Sequence, residues 1–309
     1  MNALPNVNAL PNDQPIAFHN DQFVLADRLV VRPQDMGFML GVTVAEQLRT
    51  FAGELGDVDA HVVRLTSSLE IVGVEVDVAK IIDAARKVAA HNYELLPDGH
   101  DLGVTVFVTP GLYPTYCPDG VSRPTIGIHT YPLPFGLWVN KYEIGQVCDF
   151  VSIPQVSADS WPRHLKCRSR MHYYLADREA RVKAPTSRAI LLDDDGNVNE
   201  ASTANVLAYF ASEGLVSPPL ESVLPGISLQ RTLRLAESLE IPVVLRHMSP
   251  DECKSADEVL LTSTPFCLLP VSRLGDREFK SRDCFAKLIA TWNAEVGFDL
   301  VRQAQMCAS

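Results

Sequence analysis

Lys166 stands in the stretch HLKCRSRMHYYLADREA, residues 164–180, with Arg163 just before it and Arg168 and Arg170 just after. Lysine differs from arginine at such a place by its chemistry. A desolvated or cation-crowded amine loses its proton and can attack a carbonyl; a guanidinium cannot. Taken alone, the stretch reads equally as a solvated basic helix face. Three other segments bring complementary groups. LPGIS, 224–228, is a Pro-Gly turn leading into a helix, so the backbone N–H groups of Ile227 and Ser228 fall at a helix N-terminus suited to phosphate. LLTSTP, 260–265, ends a strand in the hydroxyls of Thr262, Ser263 and Thr264. DDDGNVNEASTANVLAYF, 193–210, turns at Asp-Gly-Asn and places Glu200 among small residues on the returning strand. Each segment alone is an ordinary cap, strand end or surface glutamate. A lysine, a carboxylate and a hydroxyl-lined phosphate site together fit pyridoxal phosphate. The lysine forms the Schiff base, the carboxylate keeps the ring nitrogen protonated, and arginine and backbone donors hold the phosphate.

The elements that must position these groups alternate between strand and helix. FVLADRLVV and EQLRTFAG predict strands. HVVRLTSSLEIVG predicts a helix, with Val62, Leu65, Leu69 and Val72 at three- and four-residue spacing, and VAKIIDAARKVAAHNYELL a second. GVTVFVTPG and PTIGIHT predict strands. The Pro-rich, aromatic YPLPFGLWVNKYEIG has weak periodicity and is read as a linker over 132–142. Beyond it come a strand at QVCDFVSIP, a loop carrying Lys166, and a helix from about Arg170 to Pro185 with Met171, Leu175 and Val182 on one face. A strand–turn–strand, the LPGIS turn and helix, and strands at IPVVLRHM and ADEVLLTST follow. A last helix, SRDCFAKLIATWNAEVG, turns Phe285, Leu288, Ile289 and Trp292 to a core. The mixture predicts an α+β or α/β protein. Its expected divisions are a flexible leader over 1–20, an α/β domain over 21–131, and a larger domain over 143–309.

In order and spacing these segments resemble the class IV aminotransferases, the fold-type IV pyridoxal-phosphate enzymes, from about Gly41 to Val271. HVVRLTSS is similar to the family's H-x-x-R-L segment, which implies that Arg64 binds the phosphate. KCRSRMHYYLADREA resembles the segment that starts at the Schiff-base lysine, implying Lys166. DDDGNVNEASTANVLAYF is similar to the block that supplies the ring-nitrogen carboxylate, implying Glu200 with Asn205 in support. LPGIS resembles L-P-G-I-T, implying Ile227 and Ser228, and ADEVLLTST resembles the segment ending in a phosphate-binding threonine, implying Thr264. The resemblance further implies a two-domain fold whose C-terminal part is a pseudo-barrel, and a homodimer with its site near the interface. It implies transfer of an amino group from an amino acid, branched-chain-like or related, to a 2-oxo acid. Alternatives within the resemblance are a lyase of the aminodeoxychorismate type and a degenerate cofactor-binding member, the latter motivated by Ala45, Ser169 and Met171.

The chain departs from the pattern in places that bear on substrate. Ala45, beside Glu46, stands where an aromatic residue is usual, which implies a wider or differently covered pocket. Pro110 in FVTPG stands where D-amino acid aminotransferases carry a carboxylate-binding arginine. The substrate carboxylate therefore needs another anchor, with Arg163, Arg168 and Arg170 as candidates. His61 is read as orienting a helix start. His164 and His172, eight residues apart, do not suggest metal ligands, and no metal is expected. Cys167 is read as a packed, inert thiol.

Composition bounds the rest. With 309 residues, 47% hydrophobic and 21% charged, the chain is an ordinary globular sequence, and no apolar run approaches the roughly 20 residues of a membrane span. A formal net charge of −11 argues against nucleic acid as a partner while leaving room for a local anion site. The seven scattered cysteines, without a CxxC pair, suggest reduced thiols in the cytoplasm. No G-x-G-x-x-G follows a strand, so a nicotinamide-binding fold has no support.

Overall fold

A computed structural model describes residues 10–308, which separate into two compact units, 10–133 with Leu165–Ser169 and Pro134–His164 with 170–308. In the first unit the elements are β1 (Ile16–His19), β2 (Gln22–Leu25), α1 (Met36–Met39), β3 (Val44–Phe51), β4 (Glu54–Leu55), α2 (Val58–Val72), α3 (Val78–Tyr93), β5 (Leu102–Thr109) and β6 (Thr125–Pro132). The strands form one sheet in the order β2-β1-β6-β5-β3-β4, all antiparallel. One face is apolar. Val44 and Leu48 of β3, Val104, Val106 and Val108 of β5, and Ile128 of β6 alternate inward and pack with Leu65 and Leu69 of α2 and Ile81, Ala85 and Val88 of α3. Asp77 caps α3 by accepting from Lys80 N–H, and Gly73 ends α2 in the left-handed conformation that glycine adopts without strain.

Segment Leu165–Ser169 joins this unit by pairing with β3. Cys167 stands opposite Val44, Ala45 N–H donates to Lys166 O at 3.0 Å, and Arg168 N–H donates to Thr43 O at 2.9 Å. Leu165 packs into the apolar core.

The second unit holds α4 (Val139–Ile144), β7 (Gln146–Phe150), α5 (Met171–Lys183), β8 (Arg188–Leu192), β9 (Val198–Ala201), β10 (Ala204–Phe210), β11 (Gly214–Ser217), α6 (Ile227–Ser238), β12 (Val243–Leu245), α7 (Pro250–Ser255), β13 (Glu258–Ser263), β14 (Cys267–Leu274), β15 (Arg277–Glu278), α8 (Asp283–Val296) and α9 (Leu300–Cys307). Strands β10-β13-β14-β7-β8-β9 follow one another, and β9 pairs back onto β10, so six strands close into a barrel with β11 and β12 extending it. Phe285, Leu288, Ile289 and Trp292 of α8 are buried as their spacing predicts.

Several expectations are corrected. The leader over 1–20 contains β1, whose Ile16, Ala17 and Phe18 are buried; residues 1–9 lie outside the described residues. The strand predicted over FVLADRLVV stops at Leu25. Its partner β1 ends at Ile16, and the residue before is Pro15, which has no N–H for a ladder. The linker over 132–142 is instead a short 3-10 turn (Phe135–Leu137) running into α4. Phe135, Trp138 and Tyr142 are buried, and Tyr142 Oη donates to Phe266 O at 2.8 Å. Two elements this short show no period in the sequence.

On α5 the predicted apolar face is reversed: Met171, Leu175 and Val182 are exposed, while Ala176 and Ala180 are buried against Ala189 and Leu191 of β8. Small residues four apart let the helix lie close to the sheet. Finally, the strand predicted after the Asp-Gly-Asn turn is broken at Ser202–Thr203, where Thr203 takes φ +63°, so β9 and β10 face each other as a hairpin.

Candidate active site

In the second unit that break places a row of polar side chains across the barrel wall. Glu200 on β9 is opposite Asn205 on β10, and Asn205 is opposite Thr262 on β13. Glu200 is buried, and its two oxygens accept four hydrogen bonds. Oε1 takes Asn205 Nδ2 at 3.1 Å and Leu224 N–H at 3.0 Å; Oε2 takes Gln155 Nε2 at 2.7 Å and Tyr173 Oη at 3.1 Å. All four partners donate, which suits an ionised, acceptor-only carboxylate. Burial, and then the Glu200 carboxylate beside it, push the Tyr173 phenol well above the ordinary tyrosine range, so it stays protonated and donating.

The loop that contributes Leu224 N–H leads into the N-terminus of α6. Asn205 Nδ2 also donates to Leu224 O at 2.9 Å. At Gly226, the N-cap, a Cβ would fall 2.1 Å from Asn205 Oδ1, so only glycine passes there. Ile227 and Ser228 open the helix, both buried, with no side chain capping their end. Leading N–H groups that no intrahelical carbonyl reaches are the feature an anion uses. Thr262 Oγ1 is buried without a hydrogen-bond partner among the described residues. Ser263 Oγ donates to Thr203 O at 2.9 Å, and Thr264 lies in the turn after β13. The second unit thus gathers Glu200, Asn205, Ile227 and Ser228 around one loop, with Thr262 in the same strand row.

In the first unit Lys166 is held by its backbone, its N–H donating to Ser68 Oγ on α2 at 3.1 Å and its carbonyl accepting from Ala45. Ala45 is next to Glu46, and Ser68 is one helical turn beyond Arg64. Arg64 is buried and makes a two-pronged pair with Glu46, Nε to Oε2 at 2.9 Å and Nη2 to Oε1 at 2.5 Å. His61, in the first turn of α2, places Nδ1 3.1 Å from Oε1. Burial alone would raise the Glu46 pKa, but the Arg64 charge and His61 outweigh it and hold the carboxyl well below its usual range.

The three candidate arginines differ. Arg163, in the second unit, donates Nη1–H to Val156 O and lies 3.9 Å from Asp194. Arg170 is the N-cap residue of α5. Arg168, in the first unit, lines a cavity. His172 is half-buried, and burial followed by the charges of Arg170 and Arg163 lowers its pKa to about 4. Among the described residues no cluster of three His, Cys, Asp or Glu could hold a metal.

The family sequence model described as "Amino-transferase class IV" matches residues 43–274, three quarters of the chain. The chain belongs to the class IV aminotransferases. Members of this family use pyridoxal phosphate, and the protein is a pyridoxal-phosphate-dependent aminotransferase. This aminotransferase is 26% identical to a D-alanine aminotransferase of Bacillus licheniformis over 261 residues, covering 82% of this chain and 87% of that protein. Its fold is that of the Escherichia coli branched-chain amino acid aminotransferase, with a TM-score of 0.81 at 21% identity, covering 93% of this chain and 95% of that one. It superposes comparably on a T.th. branched-chain amino acid aminotransferase solved with pyridoxamine 5'-phosphate, with a TM-score of 0.79 at 20% identity over 92% and 95% of the two chains.

The aminotransferase's own residues fit the coenzyme. A buried carboxylate held by four donors, an uncapped helix N-terminus and a buried unpartnered threonine hydroxyl are the groups a protonated ring nitrogen and a phosphate require. Sequence reasoning missed Gln155 and Tyr173. Gln155 sits in a loop with no pattern to mark it, and Tyr173 is hidden in a helix whose inward face the hydropathy pattern misassigns.

Proposed function

We propose that this aminotransferase moves an amino group between an amino acid and a 2-oxo acid, with Lys166 as its catalytic base and Glu200 as the partner of the coenzyme's ring nitrogen. The observation that carries this reading is the Glu200 carboxylate, buried and fixed by Asn205, Leu224 N–H, Gln155 and Tyr173. Pyridoxal phosphate, when bound, supplies an electron-accepting ring that stabilises the charge left when a proton leaves the substrate's α-carbon. Glu200 favours the protonated ring nitrogen and so strengthens that acceptance. Lys166 would hold the coenzyme through Nζ, and the same amine would carry the substrate's α-proton. Ile227 and Ser228 would hold the phosphate through their backbone N–H groups, Thr264 through its hydroxyl, and Arg64 would add charge from its pair with Glu46.

The enzyme acts as a homodimer in the cytoplasm. Exposed apolar side chains at Val30, Phe38 and Leu40 support an interface, and buried thiols such as Cys148, Cys253 and Cys284 support a reducing compartment. Among the described residues no helix is long and apolar enough to cross a membrane. The domain division proposed for it is an N-terminal α/β domain over 21–131 and a C-terminal, coenzyme-binding domain over 143–309. A coupled assay for transfer from a panel of amino acids to 2-oxoglutarate and pyruvate tests the activity. Pyruvate release from aminodeoxychorismate without amino transfer would instead identify the lyase. Sedimentation equilibrium tests the dimer.

A further inference from the structure

We propose that the open face of the first unit's sheet is a carboxylate site for the amino donor or the 2-oxo acceptor, with Arg168 as its cation and His129 and Tyr131 beside it. This rests on the aminotransferase reading above and deepens it.

The direction of Arg168 follows from pairing. Cys167 is opposite Val44, a core residue, and Leu165 packs into the same core. Side chains alternate along an extended segment, so Lys166 and Arg168 emerge on the other face. That face carries a cavity of about 540 Å³ whose lining includes Arg168, Gln47, Thr105, Phe107, His129 and Tyr131. This volume is in the range of small-molecule sites. Register agrees: Gln47 is opposite Thr105, and Thr105 is opposite His129, so one row of polar residues crosses three strands.

The chemistry of the lining is selective for a negative group. None of its residues is acidic, although the chain as a whole carries −11. His129 has its pKa lowered by burial and then by the Arg168 charge, against a hydrogen bond to the Thr130 backbone, so it stands as a neutral ring and adds no negative charge to the lining. Gln47 cannot be the anchor. Its oxygen accepts from Thr105 Oγ1 at 3.0 Å, and its nitrogen donates to Leu48 O and Val104 O at 3.0 and 3.3 Å. It makes a fixed, neutral wall. Two glycines set the aromatic walls: a Cβ at Gly127 would fall 2.1 Å from the Phe107 ring, and one at Gly103 2.3 Å from the Tyr131 ring. The rings therefore lie across neighbouring strands and frame the cavity. Arg168 stands two residues from Lys166 and, by the same alternation, on the same face.

The test compares wild-type holoenzyme with R168Q and R168K. Equilibrium binding of the unreactive carboxylates glutarate and propionate is measured by calorimetry, and KM is measured for alanine, glutamate and carboxylate-free propylamine. R168Q is expected to weaken carboxylate binding at least about tenfold, with R168K between, since a charge-assisted contact is lost or made single-pronged. Coenzyme absorbance should not change. A rise in KM for alanine and glutamate but not propylamine assigns the α-carboxylate; a rise for glutamate alone assigns a side-chain carboxylate. Unchanged carboxylate affinity, an equal loss on all three donors, or loss of coenzyme absorbance in both variants overturns the proposal. If wild type turns over no donor, the aminotransferase reading fails, and the calorimetry still decides this one.

Discussion

Arg64 and Glu46 meet through two hydrogen bonds in the apolar half of the first unit, with His61 closing the third side of the carboxylate. Glu46 is fully buried and Arg64 nearly so. Removing Arg64 leaves a buried carboxylate with only His61 and the Gln47 N–H beside it, so Arg64→Ala should destabilise the first unit by roughly 3 kcal/mol. Urea unfolding of the holoenzyme checks this. A variant that loses coenzyme affinity but no stability would show that the pair is not structural.

The same pair sets an acid limit. The folded pKa of Glu46 lies below the ordinary 4.5, so its stabilising contribution is complete above about that pH and is lost as pH falls below it. Glu46→Gln should flatten the stability profile in this acid window, measured as midpoint against pH.

His172 should mark a second, higher window. Its folded pKa of about 4 lies below the ordinary 6.5, and its Nε2 is buried with no partner among the described residues. The folded state therefore favours the neutral ring. Stability is complete above pH 6.5 and declines as pH falls toward 4. His172→Gln should remove this slope while leaving the lower window of Glu46. A slope unaltered by the substitution would assign it to another group.

Glu200→Gln should lower kcat and kcat/KM together by about two orders of magnitude, equivalent to about 3 kcal/mol of stabilisation in the transition state. An amide cannot supply the negative charge that favours the protonated ring nitrogen. Nor can its NH2 accept from the donors that now surround both oxygens, so a lower melting temperature should accompany the loss. Near wild-type turnover with coenzyme bound would remove Glu200 from the role.

Borohydride treatment of the holoenzyme, followed by peptide mapping, should find the coenzyme fixed to the peptide containing Lys166. Lys183 is engaged elsewhere, donating Nζ–H to Phe150 O at 2.7 Å. Lys141 is the instructive competitor, because burial and then the Arg188 charge lower its pKa. An adduct on Lys141 would move the active site.

Helices α2, α3 and α8 are legible in the chain alone, because each lays apolar residues at three- and four-residue spacing against one core. Lys166, Glu200 and the LPGIS turn stand out as candidates because their types and their order along the chain carry chemistry and a family resemblance. Glu200's partners are not, because Gln155, Tyr173 and Leu224 N–H reach it from three separate segments, and only the closing of β9 onto β10 brings them to one carboxylate. The inward face of α5 is misread from hydropathy because alanines pack closer to a sheet than the larger residues that dominate such a pattern. Which way Arg163, Arg168 and Arg170 turn is equally closed to sequence. All three are arginines within eight residues, and only the pairing of Cys167 with Val44 turns Arg168 onto the open face of the sheet while Arg163 is held by Val156 O. Pairing register is a property of two segments far apart in the chain, and tertiary structure alone sets it.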